Sequence, residues 1–157
     1  MNDSDEFSFG KFREVLLAGG GDDFILACDR KGYVSTGAGS DHIEGGRRAQ
    51  LLLGDDGDDV IRGRGGRDEL RGGNGADQLN GGRGDDLIVG GAGADSFRIS
   101  KGDDRIVDLD PLEGDVLLLP AGLKPTFTSV DSGVLLTSDR GTTLIEGLTL
   151  EQVEGLI

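Results

Sequence analysis

The sequence predicts an all-β chain in which short parallel strands wind into a roll of two sheets. Three observations predict this fold. A nine-residue pattern runs without insertion from residue 18 to residue 107, each of its ten blocks has an apolar residue at position 8, and glycine fills position 4 in eight of them. A fixed period sustained over this length is the signature of a repeat architecture, in which each unit stacks on its neighbours.

Each nine-residue block predicts a tight turn followed by a very short strand. Blocks 72–80, 81–89 and 90–98 read GGNGADQLN, GGRGDDLIV and GGAGADSFR. Glycine at positions 1, 2 and 4 indicates backbone conformations that other residues rarely adopt. The last three residues read x-apolar-x, and side chains alternate along a strand, so position 8 points inward while positions 7 and 9 point outward. The predicted core is Ile25, Val34, Ile43, Leu52, Ile61, Leu70, Leu79, Ile88, Phe97 and Ile106.

Two blocks complete one coil, so each residue is expected to stack on the residue 18 positions later. Successive strands then lie about 4.8 Å apart in two parallel sheets, and the turns form two columns along the edges. The glycines let turn carbonyls face outward along each column, and Asp at position 6 adds carboxylates in eight of the ten blocks. A cage of such oxygens suits Ca²⁺, whereas transition metals prefer His or Cys.

The composition limits the partners of the chain. The 157 residues carry 30 acidic and 16 basic side chains, a net charge of −14, which argues against nucleic acid as a partner. With 30 glycines and no Trp the core is thin, and without a bound ligand such a chain lies near the disordered class. The single cysteine, Cys28, excludes an intrachain disulfide and structural zinc. No apolar run approaches the roughly 20 residues that cross a membrane, so we expect no membrane insertion.

The repeats resemble the nonapeptide G-G-x-G-x-D-x-U-x of the RTX (hemolysin-type) calcium-binding family. The resemblance covers residues 18–107. Residues 106–119, IVDLDPLEGDVLLL, resemble the strand–turn–strand that often follows such arrays in type I-secreted bacterial proteins. The family implies a right-handed parallel β-roll that is exported unfolded through a type I secretion channel and folds on calcium outside the cell. The expected location is therefore extracellular.

In the family, the ions lie between a turn and the turn stacked on it. One column, the complete column, has turns starting at residues 18, 36, 54, 72 and 90, and all five keep Gly at position 4 and Asp at position 6. The other, the partial column, has turns starting at 27, 45, 63, 81 and 99, and only the last three keep the pattern. The resemblance thus implies four ions in the complete column and two in the partial column, about six in all.

The implied calcium ligands are the turn carbonyls and the position-6 carboxylates. They are Gly19, Gly21, Asp23, Gly37, Gly39, Asp41, Gly54, Asp56, Gly57, Asp59, Gly63, Gly66, Asp68, Gly72, Asn74, Gly75, Asp77, Gly81, Arg83, Gly84, Asp86, Gly90, Ala92, Gly93, Asp95, Gly102 and Asp104. In the degenerate turns 27–32 and 45–50, Arg30 and Arg48 replace the position-4 glycine. Either a guanidinium replaces calcium and donates to the turn carbonyls, since Arg carries five donors, or the sites are lost and both side chains face water.

The pattern divides the chain into an N-terminal cap (residues 1–17), the roll (18–107) and a C-terminal β capping segment (108–157). At the N-terminus, Phe7, Phe9 and Phe12 are expected to close the first coil, because solenoid ends need caps. In the C-terminal segment, apolar runs at 127–130, 133–138 and 142–148 predict strands joined by hairpin turns. Thr149 and Gln152 predict a capping box for a short terminal helix, and residues 154–157 loosely resemble a type I secretion signal.

The outward positions of the sheet that follows the partial column are unusually apolar. Six of these ten residues are apolar or aromatic, and such a surface usually has a cover. We expect the C-terminal segment to cover it, or another molecule to pack on it. The ten residues are Tyr33, Ser35, Leu51, Leu53, Glu69, Arg71, Leu87, Val89, Arg105 and Val107.

The motifs favour a calcium module over an enzyme. Neither H-E-x-x-H nor G-x-S-x-G occurs, and the one histidine, His42, is at an outward position 7. We expect a non-enzymatic calcium-binding module that supports secretion and stability of a larger secreted protein. The N-terminal residues lack a signal-peptide pattern, which agrees with type I export. The alternative is an adhesion or carbohydrate-binding module that uses a roll face, to which Tyr33 and Phe24 would contribute.

Overall fold

Two parallel sheets wind along the chain in the computed structural model, which describes residues 4–8, 14–27 and 29–157. The seven-stranded sheet consists of β1 (Glu6–Ser8), β3 (Phe24–Leu26), β5 (His42–Glu44), β7 (Val60–Arg62), β9 (Gln78–Asn80), β11 (Ser96–Arg98) and β13 (Val116–Leu118), in that spatial order. Each strand has three residues, as the x-apolar-x pattern predicts. All neighbours in this sheet are parallel.

The nine-stranded sheet faces it and has longer strands. Its parallel part consists of β2 (Glu14–Gly20), β4 (Gly32–Ala38), β6 (Gln50–Asp56), β8 (Glu69–Asn74), β10 (Leu87–Ala92) and β12 (Gly102–Ile106). It continues through β16 (Gly141–Glu146), β15 (Gly133–Ser138) and β14 (Thr126–Val130). In both sheets the paired residues of the repeats are 18 positions apart, for example Phe24 with His42 and Tyr33 with Leu51, so the predicted coil of two blocks is confirmed.

The core lies between the two sheets and consists of the position-8 side chains. All ten are buried, with at most 4% of the side chain exposed, which confirms the predicted core. Leu16 in β2 and Leu117 in β13 extend this row beyond the repeats at either end. A stack of one apolar side chain per strand gives a narrow core, and its stability depends on the turns that hold neighbouring coils together.

Strands also occur outside residues 18–107. The strand β1 and the first residues of β2 pair with β3 and β4, and β13 continues the seven-stranded sheet after β11. The domain boundaries at residues 17 and 107 remain predictions, although both sheets extend past them. Phe9, Phe12, Cys28 and the side chain of Phe7 lie outside the described residues, and so does the predicted closure of the first coil by these phenylalanines.

The C-terminal segment forms the predicted strands and helix. The strands β14, β15 and β16 are joined as antiparallel hairpins, and α1 (Leu150–Glu154) follows. Its capping box is present: the Thr149 side chain accepts the N–H of Gln152, whose own side chain accepts the N–H of Thr149. No helix in the described part of the chain is long and apolar enough to span a bilayer.

The prediction that this segment covers the apolar outer face is wrong. The strand β16 pairs in parallel with β12, so the three C-terminal strands lie beside the repeats in the same sheet. The physical reason is that the edge of β12 offers unpaired N–H and C=O groups, which a further strand satisfies. The outer face stays partly open, with Val15 74% and Leu17 68% exposed.

Candidate metal centre

The turns of the complete column need glycine at position 4. Gly57 and Gly75 have φ values of 135° and 133°, a region that L side chains rarely adopt. A Cβ on Gly75 would also overlap the carbonyl oxygen of Gly57, the equivalent residue one coil earlier. The close approach therefore stacks the position-4 carbonyls along the column, one per coil.

The position-6 aspartates form a hydrogen-bonded ladder in each column. One carboxylate oxygen, Oδ1, accepts the backbone N–H of the residue 18 positions earlier. In the complete column this bond runs from Asp23 to Asp41 (2.7 Å), Asp41 to Asp59 (2.8 Å), Asp59 to Asp77 (2.8 Å) and Asp77 to Asp95 (2.9 Å). In the partial column it runs from Asp68 to Asp86 (2.8 Å) and Asp86 to Asp104 (3.1 Å). The structure thus brings the predicted carboxylates together in two buried rows.

The second carboxylate oxygen, Oδ2, fits a cation. In seven of these aspartates it is buried and has no hydrogen-bond donor within the described residues: Asp23, Asp41, Asp59, Asp68, Asp77, Asp86 and Asp95. Buried polar atoms are nearly always paired, and a buried carboxylate oxygen without a donor is costly. Because oxygen is the ligand that Ca²⁺ prefers, the donor set fits the ion that the sequence predicted.

Burial raises the pKa of these carboxyl groups. The pKa of Asp59 and Asp68 rises to about 7, mainly through desolvation and further through neighbouring carboxylates such as Asp77 and Asp86. The pKa of Asp77 and Asp86 rises to about 6 for the same reasons. A bound cation acts in the opposite direction, since an adjacent positive charge favours the ionised carboxylate.

Main-chain carbonyls would supply most ligands. Among the described residues, no three His, Cys, Asp or Glu side chains converge as a metal-binding group. The predicted carbonyl ligands at positions 3 and 4 differ in their partners. Those at position 3 already accept an N–H from the preceding turn: Asp56 from Gly39 (2.9 Å), Asn74 from Gly57 (2.8 Å), Arg83 from Gly66 (2.9 Å) and Ala92 from Gly75 (2.8 Å). The position-4 carbonyls of Gly21, Gly39, Gly57 and Gly75 instead face the next turn.

A comparison with protein families agrees with this geometry. A family model described as an RTX calcium-binding nonapeptide repeat (4 copies) matches residues 35–70, 47–79 and 71–106. Residues 35–106 carry RTX calcium-binding nonapeptide repeats. Among solved structures, it is similar to the AlgE6R3 subunit of the Azotobacter vinelandii mannuronan C5-epimerase, at 28% identity and a TM-score of 0.47, over 69% of this chain and 79% of that one. No curated protein matches the chain.

Both RTX ladders end on residues that sequence reasoning missed. Asp104 Oδ2 accepts the hydroxyl of Ser100 at 2.7 Å. At the end of the complete column, Asp115 accepts the N–H of Asp95 at 2.7 Å and that of Asp110 at 2.8 Å. Asp115 follows Asp95 by 20 residues, so the strict spacing of 18 hid it, although its place before the apolar β13 is a usable signal.

The degenerate RTX turns do not use arginine in place of calcium. The side chains of Arg30 and Arg48 are exposed, and neither guanidinium donates to a turn carbonyl in the part of the chain that the structure describes. That interpretation is therefore wrong. The carbonyl of Arg30 accepts instead from the side-chain amide of Gln50, at 3.0 Å.

Proposed function

We propose that this chain is a non-catalytic RTX module that folds on binding extracellular Ca²⁺ and thereby supports type I secretion and stability of a secreted bacterial protein. The observation that carries the proposal is a set of seven buried carboxylate oxygens that have no donor among the described residues, stacked in two columns beside glycine carbonyls. When it is bound, calcium supplies the positive charge that offsets these carboxylate oxygens. The residues of the chain hold the oxygens in register, exclude water and keep neighbouring carbonyls close.

Folding and calcium binding are coupled in this proposal. Without a cation, the stacked carboxylates repel one another, and one core side chain per nine residues is too little to offset chain entropy. Binding free energy therefore becomes folding free energy. Extracellular modules bind calcium at about 10⁻⁴–10⁻³ M, so the chain would stay unfolded in a cytosol poor in free calcium and pass a type I channel in that state.

The proposed ions lie between stacked turns of the family pattern. Four lie in the complete column, between successive members of the series Asp23, Asp41, Asp59, Asp77 and Asp95. Two lie in the partial column, between Asp68, Asp86 and Asp104. Six ions would add +12 to the net charge of −14 and leave about −2. The cation thus removes most of the self-repulsion that favours the unfolded chain.

Metal analysis and limited proteolysis test this proposal. The whole chain is stripped with chelator, dialysed against millimolar Ca²⁺ or Mg²⁺, and analysed for bound metal and protease resistance. We expect about six Ca²⁺ per chain and resistance in calcium alone, because Mg²⁺ demands a smaller octahedral site. Equal digestion with and without calcium would overturn the folding role. In a host with a type I channel, failure of export despite normal calcium binding would remove the secretion role alone.

A second candidate function is binding of a carboxylated glycan on the seven-stranded sheet. A groove of about 360 Å³ on its outer face is lined by Arg62, Gln78, Asn80, Ser96, Arg98 and Leu118, among others. Guanidinium and amide groups pair well with carboxylates and hydroxyls. Neither aromatic residue predicted for this role lines the groove. Phe24 is in β3 of the same sheet and stacks on His42 with ring centroids 5.0 Å apart, and Tyr33 is on the other sheet.

Polygalacturonate binding, measured at buffered saturating calcium, tests this second function. We expect binding that Arg98→Ala weakens and that the exposed-residue control Arg67→Ala leaves unchanged. Dextran, a neutral polymer, should not bind. Equal affinity of the two variants, or equal binding of both polymers, would exclude the groove as a site for acidic glycans.

A further inference from the structure

Gln50 occupies the aspartate position of a degenerate turn and keeps its place in the ladder. The side chain is buried, with 6% exposed. Its backbone N–H donates to Oδ1 of Asp68 at 2.8 Å, as the ladder aspartates do along both columns. The turn is therefore stacked in the same register as its calcium-type neighbours, although it lacks both the carboxylate and the position-4 glycine.

The amide oxygen of Gln50 lies where an aspartate Oδ2 lies in the next turn. A Cβ built on Gly45 would be 2.7 Å from Gln50 Oε1, and a Cβ built on Gly63 would be 2.6 Å from Asp68 Oδ2. The two oxygens differ in their partners. Gln50 Oε1 accepts the N–H of Gly46 at 2.7 Å, whereas Asp68 Oδ2 has no donor among the described residues.

The amide nitrogen of Gln50 reaches the turn below. Its Nε2 donates to the carbonyl oxygen of Arg30 at 3.0 Å, and Arg30 is at position 4 of the preceding turn. The equivalent carbonyl for Asp59 is that of Gly39, one coil earlier in the complete column, and it faces the next turn. Gln is one methylene longer than Asp and carries a donor as well as an acceptor, so one side chain can span the gap between two turns.

We propose that the carboxamide of Gln50 takes the place of a calcium ion between turns 27–32 and 45–50. Its N–H group, the positive end of the amide dipole, donates to the Arg30 carbonyl, and its oxygen accepts the N–H of Gly46. This junction therefore holds without metal, and calcium binding in the partial column begins only at Asp68. The inference rests on the proposed calcium function and adds to it a side chain that replaces an ion at one junction of the partial column.

Paired variants test this role of Gln50. Calcium per chain and the free calcium concentration at the folding midpoint are measured for the wild type, Gln50→Ala and the exposed-residue control Gln78→Ala. We expect Gln50→Ala to keep the wild-type calcium count but to need several-fold more calcium to fold, because the Arg30 carbonyl and the Gly46 N–H both lose their partner. Gln78→Ala should change neither quantity.

Two outcomes would overturn the inference. A lower calcium count in Gln50→Ala would show that Gln50 is itself a calcium ligand, and an unchanged midpoint would show that its amide contributes nothing. If the variant does not fold, NMR of the calcium-loaded wild type decides: the Gln50 carboxamide protons should exchange with solvent more slowly than those of Gln78, and equal rates would refute the proposal. Failure of the wild type to fold on calcium would instead refute the proposed function.

Discussion

Replacing Asp59 by alanine removes the carboxylate at the middle of the complete column. Asp59 is buried, its Oδ1 accepts the N–H of Asp41 at 2.8 Å, and its Oδ2 has no donor in the part of the chain that the structure describes. In the proposed arrangement it serves two ions, one shared with Asp41 and one with Asp77. The substitution therefore disturbs both junctions that this turn makes with its neighbours.

The expected loss is large on the scale of a small domain. A hydrogen bond to a charged group contributes about 1.5–3 kcal/mol. Each lost ion removes about 2.7 kcal/mol at about 10 mM free calcium, which is 100 times a Kd of about 10⁻⁴ M. One hydrogen bond and two ions therefore amount to roughly 7–8 kcal/mol, close to the whole stability of many domains. For a chain of this size, that corresponds to a fall in Tm of about 15–30 °C.

Calorimetry and metal analysis at about 10 mM calcium measure both effects. Asp58→Ala is the matched control, because it removes the adjacent carboxylate at an exposed site. Asp58 also accepts a backbone N–H, that of Ala76 at 2.8 Å, so an equivalent hydrogen bond is lost. We expect Asp59→Ala to bind two ions fewer than the wild type, and Asp58→Ala to bind the full number with a small change in Tm. Equal calcium counts for the two variants would refute the assignment of Asp59 to two sites.

Three further predictions concern the turns, the carboxylates and the C-terminal strands. Gly75→Ala should abolish calcium-dependent folding, because the new Cβ overlaps the Gly57 carbonyl, and circular dichroism measures this. The control Gly155→Ala should fold normally, because Gly155 has a φ of −75°. After calcium is removed, residual β structure should be greater at pH 5 than at pH 8. The pKa of Asp59 is raised from 3.8 to about 7, so protonation of this carboxyl group favours the folded state. The resulting stabilisation is full below about pH 4 and is lost as the pH rises through 7. Equal spectra at pH 5 and pH 8 would contradict this prediction. Ile145→Ala, in the buried row of β16, should cost about 2–5 kcal/mol by calorimetry while the calcium count stays at the wild-type value.

The strict period made the roll predictable from the sequence. Because position 8 recurs every nine residues, each residue of that row could be assigned to the core, and stacking of Phe24 on His42 followed from two blocks per coil. The C-terminal strands and the capping box of Thr149 and Gln152 were predictable for another reason, since local turn and cap signals determine them. In the first case the information lies in the period of the repeat, and in the second it lies within a few residues of each element.

Features that depend on side-chain conformation or on long-range pairing were not predictable in this way. The amide of Gln50 reaches the Arg30 carbonyl across 20 residues, and no local pattern indicates which of its atoms faces which turn. Asp115 was not predicted as a ladder residue, because it follows Asp95 by 20 residues and the repeat predicts 18. The edge pairing of β16 with β12 competes with packing on the apolar face, and only the geometry of the hydrogen-bonding edge decides between them.

Far-UV circular dichroism of the whole chain, recorded at neutral pH first in chelator and then in millimolar calcium, tests the central claim most directly. Calcium-coupled folding predicts the spectrum of an unfolded chain in chelator and a β spectrum after calcium is added, reversed by renewed chelation. A β spectrum that is already complete in chelator and does not change with calcium would contradict it.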